Sequence, residues 1–167
     1  SDVDIETTKL KLESEAKNLI EKQELLLFNT GGKERFAMNL DLVARVEKIS
    51  IDQIEKVGND EFIYFNDKSL KTIRLDQYLP VSPLVIPENK ECYIIIPKLV
   101  KHPMGIICSK LDDTLKAHVA LEKENINAPG ILGSAKIKDT MTLIIDIYTL
   151  FEKIDPEHYS KGNETTN

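Results

Sequence analysis

The sequence predicts an all-β fold built from two similar small β-domains, and three observations carry that prediction. Residues 131–147 read as a strand, a tight turn at Lys138 and Asp139, and a second strand whose Met141, Leu143, Ile145 and Ile147 alternate onto one face. Tyr148, Leu150 and Phe151 then break the alternation and form a short apolar plug. Residues 62–79 repeat the plan, with a polar turn at Asn66, Asp67 and Lys68, and Ile73, Arg74 and Leu75 lie 72 positions before Ile145, Asp146 and Ile147. Tyr78 and Leu79 fall on Leu150 and Phe151. Finally, a hairpin precedes each unit: residues 24–28 and 35–39 in one half, residues 92–97 and 104–109 in the other. A period of 72 residues exceeds that of solenoid repeats, about 20–50 residues, so duplication of a whole small domain is the reading that fits.

Composition sets the outer limits. A chain of 167 residues makes one domain or two small ones sharing an interface, and it can bury roughly 70% of its unfolded surface. Hydrophobic residues make up 41% of it, enough for a packed core, and charged residues 30%. A net charge of −6 and a pI near 5.2 argue against binding nucleic-acid phosphates, which requires clustered Lys and Arg. No apolar run approaches the ~20 residues that span a bilayer, so direct membrane insertion is not expected. Cys92 and Cys108 fall on predicted strands of the same half. With no signal-peptide pattern, two buried reduced thiols are expected in preference to a disulfide. These features fit a cytoplasmic protein that binds other proteins.

The elements follow in order. Residues 1–23 are highly charged, with a brief alternation at residues 8–12 and an amphipathic stripe of Ala16, Leu19 and Ile20 after Ser14, and they read as an appendage or linker. After the first strand, Gly31 and Gly32 give the backbone freedom that a hairpin turn requires. Residues 41–44 read as a one-turn helix with Asp41 near its start, residues 45–50 as a strand, and residues 51–61 as a polar turn. Pro80, Pro83 and Pro87 punctuate a connection over residues 80–90, the natural boundary between halves. Strands are then expected at residues 91–98, 104–110 and 114–121, ahead of the closing hairpin. Residues 155–167 read as a flexible polar tail.

Catalytic chemistry finds no footing. The three histidines, His102, His118 and His158, show no metal-ligand spacing and no neighbouring Cys pair. The stretch NTGGKER has adjacent glycines and Glu34 after Lys33, not a phosphate-binding loop. Asp112 and Asp113 are adjacent, so on a strand they face opposite sides, a poor acid–base pair. No cofactor, metal or catalytic residue is assigned. A scaffold instead needs an apolar patch, and Phe62, Ile63, Tyr64 and Phe65 are four consecutive bulky residues on one predicted strand. Alternation directs either Phe62 and Tyr64 or Ile63 and Phe65 outward. That outward pair is the candidate interface, unless the N-terminal segment or the proline-rich connection covers it.

The stretch ELLLFNTGGKERFAMNLDLVARVEKI resembles the opening of the CheW-like domain of bacterial chemotaxis, where a strand, a hairpin and an xFAxxLxxVxEI segment recur. PGILGSAKIKDTMTLIIDIYTLFE resembles that family's closing hairpin with its LILDxxxLxE ending, so the likeness spans about residues 24–154. LKTIRLDQYLPVSP and IIIPKLVKHPMGIICSKLDDTL look most like the C-terminal regulatory domain of the histidine kinase CheA. IETTKLKLES resembles the last strand of the kinase's ATP-binding domain, which makes residues 1–23 a linker or remnant of that domain.

The resemblance implies two intertwined five-stranded SH3-like barrels with short helical turns, the first over about residues 24–79 and the second over about 91–154, with interleaving boundaries and a groove between them. It also implies a non-catalytic regulatory and scaffolding role, coupling a CheA-type kinase to a CheW-type adaptor and the chemoreceptor cytoplasmic tip alongside other domains of the parent kinase. Such a domain is cytoplasmic and reaches membrane receptor arrays through its partners. One departure is that many family members carry Arg-Gly where this chain has Asn66-Asp67, so contacts made through that arginine do not carry over. The alternatives are a free-standing CheW-type adaptor and a small β-barrel ligand-binding protein or enzyme.

Overall fold

Alternating and β-branched runs fold as strands throughout the computed structural model, which describes residues 24–98, 102, 104–116, 121 and 128–159. The predicted appendage over residues 1–23, His118 and the end of the predicted tail lie outside the described residues. The first hairpin is β1 (Glu24–Asn29) and β2 (Arg35–Asn39), followed by β3 (Val43–Ser50), β4 (Ile54–Val57), β5 (Asp60–Phe65) and β6 (Lys68–Ile73). After the connection come β7 (Glu91–Pro97), β8 (Met104–Cys108), β9 (Lys110–Lys116), β10 (Ile131–Ile137) and β11 (Thr140–Ile145). Two helices follow among the described residues, α1 (Ile147–Ile154) and α2 (Pro156–Tyr159).

The strands form two sheets that exchange parts of the two sequence halves. One has the order β10-β11-β2-β1-β9 and the other β3-β7-β8-β6-β5-β4. Each sheet thus joins the opening hairpin of one half to later strands of the other, and both joins have the same form. β11 runs parallel to β2, with Leu143 opposite Phe36, and β6 runs parallel to β8, with Lys71 opposite Met104. Arg35 seals the first join, its Nε donating to Thr142 Oγ1 at 3.1 Å and its Nη2 to the Ile137 carbonyl.

Three cores follow from this arrangement. The largest lies between the sheets, where Phe28, Phe36, Met38, Ile95 and Ile106 meet the two plugs, Leu75 and Leu79 from one half and Ile147, Leu150 and Phe151 from the other. A smaller core of Leu25, Leu27, Ala37, Ala135, Ile137 and Ile144 fills the concave side of the first sheet. A third, of Ile49, Ile63, Leu70, Cys92, Ile94, Ile96 and Ile107, fills that of the second. Contacts across the sheet edges show how each sheet curls. Lys138 in the β10–β11 turn reaches Asp113 on β9 at 2.8 Å, and Arg45 on β3 lies 4.7 Å over the Phe65 ring at the end of β5.

Several elements differ from the sequence expectation. The segment 51–61 is not a polar turn: a 3-10 turn at Ile51–Gln53, capped reciprocally by Ser50 and Gln53, leads into β4, and Gly58 at φ +65° reverses the chain into β5. This sixth strand enlarges the second sheet beyond the five expected. The one-turn helix expected at residues 41–44 is a 3-10 turn at Leu40–Leu42, where Asn39 accepts from the Asp41 N–H at 2.9 Å. The plug after β11 is a two-turn helix rather than a single turn, because Asp146 caps it by accepting from the Thr149 N–H at 3.2 Å. The expected tail begins with one more helical turn, α2.

The connection over residues 80–90 is strapped down rather than loose. The Val85 N–H donates to the Thr30 carbonyl, the Ser82 N–H to the Glu34 carboxylate, and the Leu84 N–H to Asp76. The strap explains the glycine pair more fully than the turn alone. A Cβ on Gly31, which has φ +83°, would meet Val85 Cβ at 2.7 Å, and one on Gly32 would meet Ser82 Cβ at 2.4 Å.

Candidate partner-binding face

The four candidates on β5 separate cleanly. Ile54 opposite Ile63 and Leu70 opposite Ile63 bring three apolar side chains to one face, where Ile63 is buried in the third core. Phe65, two residues on, packs half-buried against the same core beneath Arg45. Phe62 and Tyr64 therefore point the other way; Phe62 is half-buried and Tyr64 is 70% exposed. Ile63 and Phe65 thus support the strand from beneath, and Phe62 and Tyr64 form the outward pair.

That outward face is an extension of the interface between the sheets. On β6, Ile73 lies in the central core and Lys71, next on the same face, stands opposite Phe62. Moving outward from β6 to β4, the face leaves the covering sheet and becomes a lip carrying Phe62, Tyr64, Glu55 and Val57, the last 64% exposed. Val57 and Glu55 were not legible as members because the sequence places them in a turn; the β-branched Ile54 and Val57 were the available strand signal. Lys71 lies 3.5 Å from Asp60 on this face, while on the opposite face of β5 Arg74 grips Glu61 with two hydrogen bonds of 2.8 and 3.0 Å.

The proline-rich connection does not cover this lip. It runs over the β1–β2 turn, and its Leu84 and Ile86 pack on the third core, the opposite face of the second sheet. Its Val85 and Pro87 line an open cleft of about 400 Å3 with Asn29, Tyr93, Ser109 and Lys110. The Ser109 hydroxyl there donates to the Val85 carbonyl at 2.5 Å, so it serves the strap.

The remaining reactive groups are engaged structurally. Cys92 and Cys108 are unbridged and buried, and burial pushes both thiols up from their ordinary range, away from the reactive thiolate. The fold brings His102 and His158 together with ring centroids 3.8 Å apart, a contact that sequence spacing did not reveal, and His158 Nδ1 lies 2.8 Å from Asp155. Among the described residues no three ligating side chains cluster as a metal site, and no helix is long and apolar enough to cross a membrane.

Comparison with known proteins places this geometry. The family model described as "CheW-like domain" matches residues 24–155. Among solved structures, the chain is similar to the scaffolding protein TtCheW from Thermoanaerobacter tengcongensis, with 19% sequence identity and a TM-score of 0.65 over 78% of this chain and 88% of that one. At that identity the likeness is one of fold. No curated protein sequence matches the chain.

Proposed function

The chain belongs to the CheW-like domain family, and from that premise we propose that it is the regulatory and scaffolding domain of a CheA-type chemotaxis histidine kinase. In this role it couples the kinase to a CheW-type adaptor and to the cytoplasmic tip of chemoreceptors. Family membership and the shared fold with a scaffolding protein support a coupling role rather than a catalytic one. The kinase-borne version is favoured by the stretches LKTIRLDQYLPVSP and IIIPKLVKHPMGIICSKLDDTL. Residues 24–154 are the functional unit, and autophosphorylation chemistry resides in other domains of the parent kinase. The domain works in the cytoplasm and meets membrane receptor arrays through its partners. A free-standing CheW-type adaptor is the second reading, favoured by the likeness to TtCheW.

The observation that carries the docking site is the outward pair Phe62 and Tyr64, an aromatic lip on the same sheet face as Ile73 of the central core, with Phe62 half-buried and Tyr64 open to solvent. Calorimetric titration of a CheW-type adaptor into the Phe62→Asp, Tyr64→Asp double variant tests it. Binding is expected to be abolished while the protein stays folded, with the modest drop in thermal unfolding coming from the half-buried Phe62, since the exposed Tyr64 adds little to stability. Adaptor binding equal to that of the wild type removes this strand from the interface.

A further inference from the structure

Building on the docking reading above, we propose that the β4–β5 lip takes an arginine side chain of its protein partner, stacked on Phe62 and Tyr64 and paired with Glu55. The molecule contains the same arrangement, already complete, on the other face of the same strand. There the Arg45 guanidinium lies 4.7 Å over the Phe65 ring and donates to Glu47 at 2.8 Å, an aromatic ring and a carboxylate sharing one guanidinium. A planar guanidinium suits both tasks, stacking through its face and donating through its edge.

The outward face repeats two parts of that set. Glu55 stands directly across from Phe62 on β4, exposed, and Tyr64 presents its ring one step along β5. The cation nearest on this face, Lys71, is held by Asp60 at 3.5 Å, and among the described ion pairs none involves Glu55. The aromatic and acidic components thus face solvent together, with Val57 providing an apolar margin. The complementary surface is apolar with an arginine at its centre. The corresponding lip on the other hairpin differs, because Lys136 and Met141 stand where Tyr64 and Ser69 stand here, so a partner's arginine would meet a like charge there.

The test uses the whole chain and a CheW-type adaptor. Glu55→Gln and Tyr64→Leu, both at exposed positions, are each expected to weaken binding about two- to fivefold, the size of an exposed cation–π or ion-pair contact. Glu55→Gln should also flatten the salt dependence of the affinity. Arginine-to-lysine changes made one at a time on the adaptor should include one that removes the effect of Tyr64→Leu. Wild-type affinity in both lip variants, or no adaptor arginine that couples to them, overturns the inference. If those results come with lost binding in the Phe62→Asp, Tyr64→Asp double variant, the docking site stands and only the arginine is wrong. If the double variant also binds like wild type, or the wild-type chain binds no adaptor, both readings fall.

Discussion

The β5–β6 and β10–β11 hairpins have one backbone and two surfaces. Their turns sit 72 residues apart with almost the same left-handed angles, φ +48° and +61° at Asn66 and Asp67 and φ +49° and +60° at Lys138 and Asp139. Both pairs fit the twist-matched turn that favours two-residue hairpins. β6 and β11 also share their pattern of burial residue by residue, from two exposed starting positions to two buried final ones. The outward positions have parted. Tyr64 opposite Ser69 in one hairpin corresponds to Lys136 opposite Met141 in the other, and the Phe62 position is taken by the buried Ser134. Shared core demands accompany the common backbone, while this face differs both at the exposed Tyr64 and Lys136 and at the half-buried Phe62 against the buried Ser134. An aromatic partner site is therefore expected on one hairpin only.

The plugs offer the most severe test of the equivalence. Leu75 and Ile147 are each 1% exposed, at corresponding positions of the central core, although one opens a 3-10 turn and the other an α-helix. Replacing either by Ala should cost about 2–5 kcal/mol in urea unfolding, through lost burial and the cavity left behind. A cost below about 1 kcal/mol at one site only would show that the two plugs are not equivalent supports.

The turns give a smaller effect of opposite sign. Asp67 and Asp139 hold left-handed backbone that glycine adopts without strain. Asp67→Gly and Asp139→Gly should each stabilise the protein by roughly 1 kcal/mol, seen as a higher denaturant midpoint at constant slope. A gain at one turn and a loss at the other would mean that one aspartate has a role beyond the turn.

The smallest effect belongs to the closure of the first sheet. The hydrogen bond from Lys138 holds the Asp113 carboxyl below the ordinary aspartate value of 3.8, helped by the Thr114 N–H and the Lys138 charge. A carboxyl depressed in the folded state contributes stability above its unfolded value, lost as pH falls through the folded value. Lys138→Met should bring the Asp113 titration, followed by NMR, back up toward 3.8 and leave stability near neutral pH little changed. The second sheet, whose corresponding edge is closed by Arg45 over Phe65, should show no change with this variant.

Much of this fold was legible in the sequence, for a physical reason. Alternation and turn chemistry are local, so the strands, the Lys138–Asp139 and Asn66–Asp67 turns, and the 72-residue correspondence could be read directly. Exchange of strands between the halves was not visible in residue patterns, because the Leu143–Phe36 and Lys71–Met104 pairings join residues far apart in sequence. β4 escaped because its Ile54-Glu55-Lys56-Val57 has the polar character of an edge strand. Within the candidate site, alternation divided Phe62 and Tyr64 from Ile63 and Phe65. Choosing the outward pair required the cross-strand register that places Ile63 between Ile54 and Leu70.

The asymmetry between the two hairpins is tested most directly by amide hydrogen exchange of the chain with and without a CheW-type adaptor. Adaptor binding is predicted to slow exchange across β4 and β5 and leave the Lys136–Met141 tip of the β10–β11 hairpin unchanged. Protection confined to the β10–β11 tip, or equal protection of both hairpins, would contradict the assignment of the partner site to the Phe62–Tyr64 lip.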